Sequence, residues 1–231
     1  MILKRPLYST RAEGKGFAIY QSDKALKTPL LLPLIVSSRA LAEAIAEEFE
    51  AMGNNRNLRA MPYTQMALTA IDIAAPKREE VIAGILRYGE TELICQRASD
   101  PADLVAEQNK KWQPYLDWCK ERFGADLKVG SGIIPFEQDK TALAALRAFV
   151  ETLDAFFLTG LSEACRALGS LVLGLALMEG KAPPSEAFEA AECDPLWQSK
   201  KWGDDPFLKG RQTEIARDLN ICAEWFALLR K

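Results

Sequence analysis

Arg87, Glu90, Glu92 and Arg97 set two carboxylates and two guanidinium groups into a short, otherwise apolar stretch. A carboxylate pair beside arginine suits general acid–base work when burial keeps one carboxyl protonated. The plainer reading of the same four charges is a structural ion-pair network. A second acidic cluster, Glu189, Glu192, Asp194, Asp204 and Asp205, lies on either side of Trp202 in the chain. Carboxylates of this kind gather around hard cations. Asp194 and Asp205 each precede a proline, however, and an aspartate there caps a helix whose first position is proline. For Asp204-Asp205 the functional alternative is contact with a basic patch on a partner. Gly174 to Lys181 nearly spells a phosphate loop, but five residues separate its glycines where the motif needs four. Ala182 also replaces the hydroxyl residue that would hold magnesium. Gly180 reads instead as the end of a helix.

The rest of the composition narrows the chemistry further. The 231 residues contain no histidine, which removes Ser-His-Asp, Cys-His and His-Glu-x-x-His catalysis. The five cysteines, Cys95, Cys119, Cys165, Cys193 and Cys222, form no C-x-x-C pair and read as reduced thiols. A net charge of −3 is a poor footprint for nucleic acid or an anionic membrane. The opening, Met1-Ile2-Leu3-Lys4-Arg5-Pro6, breaks its apolar run with charge and proline, so no secretory signal is read. Leu171 to Met178, the longest apolar stretch, is too short to span a membrane. Carboxylate-only or lysine-based catalysis survives these exclusions; no catalytic residue, cofactor or metal is assigned, and a cytoplasmic chain is expected.

The elements that would position such groups begin with short strands. Phe17 to Tyr20 is a β-type run, Gln21 to Lys24 a turn, and Leu26 to Val36 an extended edge interrupted by Pro29 and Pro33. Ser37 or Ser38 caps a helix that buries Leu41, Ile45 and Phe49 and stops at Gly53. Further helices are expected over Met61 to Ile73, with Met66, Thr69, Ala70 and Ile73 on one face, and over Arg78 to Arg97, with Val81, Ile85 and Tyr88 inward. A long helix from Pro101 to Phe123 stops at Gly124 and carries Trp112, Tyr115 and Trp118 broadly on one side. Segment 127–136 reads as an extended crossing that returns to the N-terminal sheet. Asp139 caps Lys140 to Leu158, and Gly160 separates it from an apolar helix over Leu161 to Glu179. A short helix follows at Pro183-Pro184, and Pro206 to Leu229 forms the last. The sum is an α+β chain, with a small N-terminal β-rich α/β domain over 1–60 and a larger orthogonal helical bundle over 61–231.

Several landmarks together carry a resemblance. They are Lys27-Thr28-Pro29 with Leu32-Pro33, Leu41 to Phe49, Met61-Pro62-Tyr63-Thr64, Thr69 to Asp72, Arg87 to Arg97, Gln108 to Trp118, Gly169 to Leu173, and Gln198 to Asp205. In order and spacing they resemble the assembly chaperones for the alpha subunit of F-type ATP synthase, the ATP-twelve family. The departures are Arg5-Pro6-Leu7-Tyr8 at the first strand and Tyr20 to Lys24 in place of a Leu-Asp-Gly-Arg turn. The resemblance implies a monomeric chaperone, not an enzyme, that binds the unassembled alpha subunit and shields its beta-facing surface. It implies partner-binding residues at Gln198, Trp202, Gly203 and Asp205, and secondarily at Arg87, Glu92 and Arg97. It also implies a bacterial cytoplasm, or the mitochondrial matrix for a processed eukaryotic member. Two rivals remain at this point: a histidine-free enzyme using Glu90 and Glu92 with Arg97, and a generic helical adaptor.

Overall fold

A computed structural model describes residues 7–53, 57–132, 136–203 and 205–231 of the protein. The opening hexapeptide, residues 54–56, residues 133–135 and Asp204 lie outside them. The chain divides into two compact units, the first comprising Met1–Arg78, Asp154–Gly160 and Glu224–Lys231, the second Glu79–Leu153 and Leu161–Ala223.

The first unit is built on a four-stranded sheet. β1 (Tyr8–Glu13) and β2 (Gly16–Gln21) form an antiparallel hairpin in which Tyr8 faces Gln21 and Glu13 faces Gly16. β3 (Lys24–Ala25) and β4 (Ile35–Val36) are also antiparallel to β2. Helix α1 (Arg39–Met52) is capped by Ser38, whose hydroxyl accepts the Leu41 N–H and donates to the Leu228 carbonyl at 2.6 Å. It buries the expected Leu41, Ile45 and Phe49, and the Phe49 ring stacks on Tyr8 at 5.2 Å. Its polar face is put to use as well. Glu50 accepts the N–H groups of Leu7 and Tyr8 at the start of β1. Glu48 accepts those of Tyr63 and Thr64 and the Thr64 hydroxyl at 2.7–2.8 Å. Glu48 thereby caps α2 (Pro62–Thr69), whose own N-cap, Met61, has no side-chain oxygen to offer.

The expected face of the second helix shifts part-way along. After α2 the backbone widens into a π-helical turn, Ala70–Ala74, closed by the Ala75 N–H on the Ala70 carbonyl. One residue more per turn advances the buried position from Ile73 to Ala74 and leaves Ile73 exposed. The helix expected over 140–158 is also two elements. α5 (Lys140–Val150), capped as expected by Asp139, ends before a break, and α6 (Ala155–Leu168) begins after Asp154, whose carboxylate accepts the Phe157 N–H at 2.9 Å. Gly160 therefore sits within α6 and is no separator. A Cβ there would lie 2.6 Å from the Phe226 ring and 2.7 Å from that of Trp225. The missing side chain is what lets the end of the last helix approach.

Among its described residues the second unit is helical apart from one small ladder. α3 (Arg78–Glu90) stops short of the expected Arg97 and buries Ile82, Ile85 and Leu86, with Val81 and Tyr88 only partly covered. A single 3-10 turn, Leu93–Cys95, leads into β5 (Gln96–Arg97). β5 pairs in parallel with β6 (Gly130–Ser131), so within 127–136 the strand residues join this ladder and not the N-terminal sheet. α4 (Ala102–Phe123) begins after Pro101, not at it, and ends as expected at a left-handed Gly124. The apolar stretch expected as one helix is split at Gly169. α7 (Leu171–Glu179) is capped by Ser170, buried from Leu171 through Met178, and closed by Gly180 in the left-handed conformation. Gly174 admits the Cys165 sulfur, which a Cβ would meet at 2.8 Å. α8 (Pro184–Ala191), α9 (Cys193–Trp202) and α10 (Pro206–Leu229) complete the chain. α9 starts one residue ahead of Asp194, so that carboxylate lies in the first turn and does not cap it. All five cysteines are free and buried. Burial raises every thiol, to about 12 for Cys95, Cys119 and Cys222 and about 11 for Cys193.

Candidate partner-binding surface

Gln198, Trp202, Gly203 and Asp205 fall where α9 ends and α10 begins. Gln198 and Trp202 are one turn apart on α9 and both exposed, Trp202 by 75%. Gly203 has φ +90°, a backbone region that favours glycine, and its N–H closes α9 on the Ser199 carbonyl. Asp205 accepts the Phe207 N–H at 2.8 Å and so caps α10. Phe207, in the next turn, is 81% exposed. Two large aromatic side chains thus stand at the end of α9 and the start of α10, and each leaves most of its surface to water. Trp202 meets Trp197 edge-on at 5.6 Å. The Lys201 ammonium lies 5.3 Å from the Trp197 ring and pairs with Asp103 at 2.7 Å. That ammonium holds the Asp103 carboxyl below its ordinary value.

The surface is anchored from behind by residues of the Gln108 to Trp118 element. Gln108 is buried. Its oxygen accepts the Ala98 N–H at 2.8 Å, and its nitrogen donates to Asp194 at 2.7 Å. Trp112, one turn on, donates from Nε1 to the Ala190 carbonyl at 2.7 Å. Together they tie β5 and the start of α9 to α4. The aromatics expected on one side of α4 are indeed core here: Trp112 and Tyr115 are buried, with Trp118 only partly so. Glu192, at the α8–α9 corner, is buried and accepts Arg211 Nη2 on both oxygens at 2.6 and 2.7 Å, which fixes α10 to that corner.

Arg87, Glu92 and Arg97 do not form one site with these residues. Arg87 is on the surface of α3. Arg97 is buried, bonded to Asn109 and Gln113, with its guanidinium 5.2 Å from the Trp112 ring centre. Glu92 is 3% exposed. Its carboxylate receives the Ser170 hydroxyl and the N–H groups of Ile94, Leu171 and Val172, the last two at 3.0 and 3.1 Å. It therefore finishes the N-terminus of α7. Burial raises its pKa to about 7 and outweighs the four donors, which lower it. The carboxylate pair of the rival enzyme reading is separated by this arrangement. Glu90 is exposed and lines a cavity of about 220 Å³ with Lys140 and Arg147, whereas Glu92 is sealed inside. A larger cavity, about 540 Å³, lies between Phe188, Leu196 and Ala216 and carries neither carboxylate.

Comparison with known proteins gives this arrangement a context. A family model described as ATP12 chaperone protein matches residues 7–120. The solved structure of Atp12 from Paracoccus denitrificans superposes with a TM-score of 0.93 at 34% identity, over 96% of each chain. An aspartate-to-lysine mutant of P. denitrificans Atp12p gives the same score and identity, over 96% of this chain and 95% of that one. The chain belongs to the ATP12 chaperone family. A third structure, from Agrobacterium tumefaciens, agrees at 32% identity and a TM-score of 0.91, over 97% of this chain and 84% of that chain. The α+β architecture is thus that of solved ATP12-family proteins, the ATP synthase assembly chaperones that the sequence landmarks resemble. Among the described residues no helix is long and apolar enough to cross a membrane, and no group of side chains is arranged to hold a metal.

Sequence reasoning missed Phe207 in this ATP12-family chain, although a signal was present. One turn on along α10 stand Gly210 and Arg211, and two turns on Glu214, so Phe207 is an aromatic on a polar helix face. It also missed the structural duty of Glu92 and Glu192, because the groups they bond lie far away in sequence.

Proposed function

We propose that this chain binds the unassembled alpha subunit of the F1 head and covers the surface that later meets the beta subunit. It acts as a monomer, without catalysis, in the bacterial cytoplasm or the mitochondrial matrix. The observation that carries this reading is the pair Trp202 and Phe207, exposed at the end of α9 and the start of α10 in a chain of a chaperone family. Aromatic side chains of this kind anchor interfaces, whereas a folded monomer gains nothing from leaving them in water. Gln198, Gly203 and Asp205 supply the polar edge, and Arg87 is a further surface contact. Glu92 and Arg97 act through the elements that they position.

The test is capture of purified alpha and beta subunits, each alone, followed by alpha aggregation with and without the chaperone. Selective capture of alpha with suppressed aggregation is expected, and failure to capture alpha would sink the reading. Trp202→Ala is expected to weaken capture about tenfold or more while leaving the thermal midpoint unchanged. Asp205→Lys needs a control, because Asp205 also caps α10. Losing the cap and placing a cation at that helix start costs about 1–2 kcal/mol of stability. Asp205→Asn keeps the cap and removes only the charge. If both variants lose capture and only the lysine variant loses stability, the charge itself is the contact.

A further inference from the structure

The Lys27-Thr28-Pro29 and Leu32-Pro33 landmark forms a tight tip in the first unit. Lys27 and Pro33 make an antiparallel bridge. Inside it the Thr28 N–H donates to the Leu32 carbonyl, and the Leu31 N–H to the Thr28 carbonyl, both at 2.9 Å. The Leu32 N–H reaches the Thr28 hydroxyl at 3.2 Å. The tip is therefore held rigidly, yet it shows Leu30, Leu31 and Leu32 to water, Leu31 by 73%. Leu31 also has φ +64°, the left-handed region that a residue with a Cβ avoids. The Leu30 N–H donates to Asp72 Oδ2 at 3.3 Å, which ties the tip to the π-helical turn that exposes Ile73. The other oxygen of Asp72 is buried without a hydrogen-bond partner among the described residues.

Three unfavourable features thus coincide: leucines in water, a leucine in a left-handed conformation, and an unsatisfied carboxylate oxygen beneath. None is recovered by folding, and backbone strain of this kind collects where a protein grips something else. Lys27, at the base of the tip, is exposed, and among the described residues it has no ion-pair partner.

We propose that the Leu30–Leu32 tip, with Ile73, is a second contact for the client, taking an apolar patch edged by acidic side chains on the folded alpha subunit. This rests on the function proposed above. A second copy of the chain is the poorer occupant, since two tips meeting about a two-fold axis would set Lys27 against its own copy. An anionic membrane is poorer too, since a single lysine gives little attraction to it.

The decisive variant is Leu31→Gly, which deletes the central side chain and suits the left-handed backbone. Its melting temperature is expected to stay level or rise, while capture of purified alpha subunit weakens about tenfold. Lys27→Glu is expected to weaken capture most at low salt. Should wild type and Leu31→Gly capture alpha equally, the tip is no contact and the proposal falls alone. Should wild type capture no alpha, both proposals fall. Wild-type dimerisation in sedimentation, or binding to vesicles containing phosphatidylserine, would overturn the proposal if Leu31→Gly abolished it and left capture intact.

Discussion

Glu92→Ala is expected to be among the most destabilising single changes in this protein, and its cost should depend on pH. The substitution strands the Ser170 hydroxyl and three N–H groups in a site that water does not reach. Each such donor costs about 1–3 kcal/mol when left unmet, and partial relaxation brings the whole to about 3–5 kcal/mol at pH 4.5. Glu92→Gln should rescue part of the loss, because the amide oxygen can accept the Leu171 and Val172 N–H groups while the nitrogen donates to the Ser170 hydroxyl, leaving only the Ile94 N–H unmet. The sign of the pH effect follows from burial. The carboxyl titrates near 7 in the folded chain and near its ordinary value of 4.5 when unfolded. Folding therefore favours the neutral form, and this stability is full below about pH 4.5 and lost as pH rises through 7. Linkage sets the loss at about 3 kcal/mol between pH 4.5 and 8. Urea titrations of wild type and Glu92→Ala across that range should show the gap between them closing. A gap that stays constant with pH would mean that Glu92 is ionised throughout.

Trp112→Ala is expected to cost about 3–5 kcal/mol, the range for deleting a buried aromatic. The indole fills a sealed site, bonds the Ala190 carbonyl and carries the Arg97 guanidinium on its face. Its removal leaves a cavity, an orphan carbonyl and a buried cation without its ring. The loss falls on the α8–α9 corner, so capture of the client should weaken although Trp112 touches no partner. Trp112→Phe keeps most of the packing and loses the hydrogen bond, at about 1–2 kcal/mol. Native-state hydrogen exchange checks the route: amides of α9 should open earlier than those of α5. Uniform acceleration across the second unit would show that Trp112 supports the whole core and not this corner.

Local chemistry made much of the fold legible. Ser38 and Gly53 bound α1, Asp139 starts α5, and Gly124 and Gly180 end α4 and α7, each through a short-range rule of capping or backbone freedom. The breaks were illegible for a related reason. Thr152-Leu153-Asp154 and Gly169-Ser170 interrupt apolar runs whose periodicity continues on either side, and bonds made by Asp154, Ser170 and Glu92 start the new helices there. Three of the capping carboxylates, Glu48, Glu50 and Glu92, reach elements elsewhere in the chain, so no window of sequence contains both partners. The candidate surface was half legible. Trp202 and Asp205 came from the family pattern, whereas Phe207 needed the exposure that a fold supplies. Glu92 and Arg97 carry the right chemistry for a surface contact and the wrong burial.

The five cysteines give this protein an intrinsic clock. Each thiol is sealed from solvent and held in its unreactive protonated form, so alkylating reagents should be silent until a local region opens. Cys193 lies behind the α9 surface, Cys95 and Cys119 near Glu92, and Cys165 and Cys222 on α6 and α10. The order in which they are modified would therefore time the opening of separate regions, with no probe added to the chain. A client that clasps the α9 surface should delay Cys193 before any other.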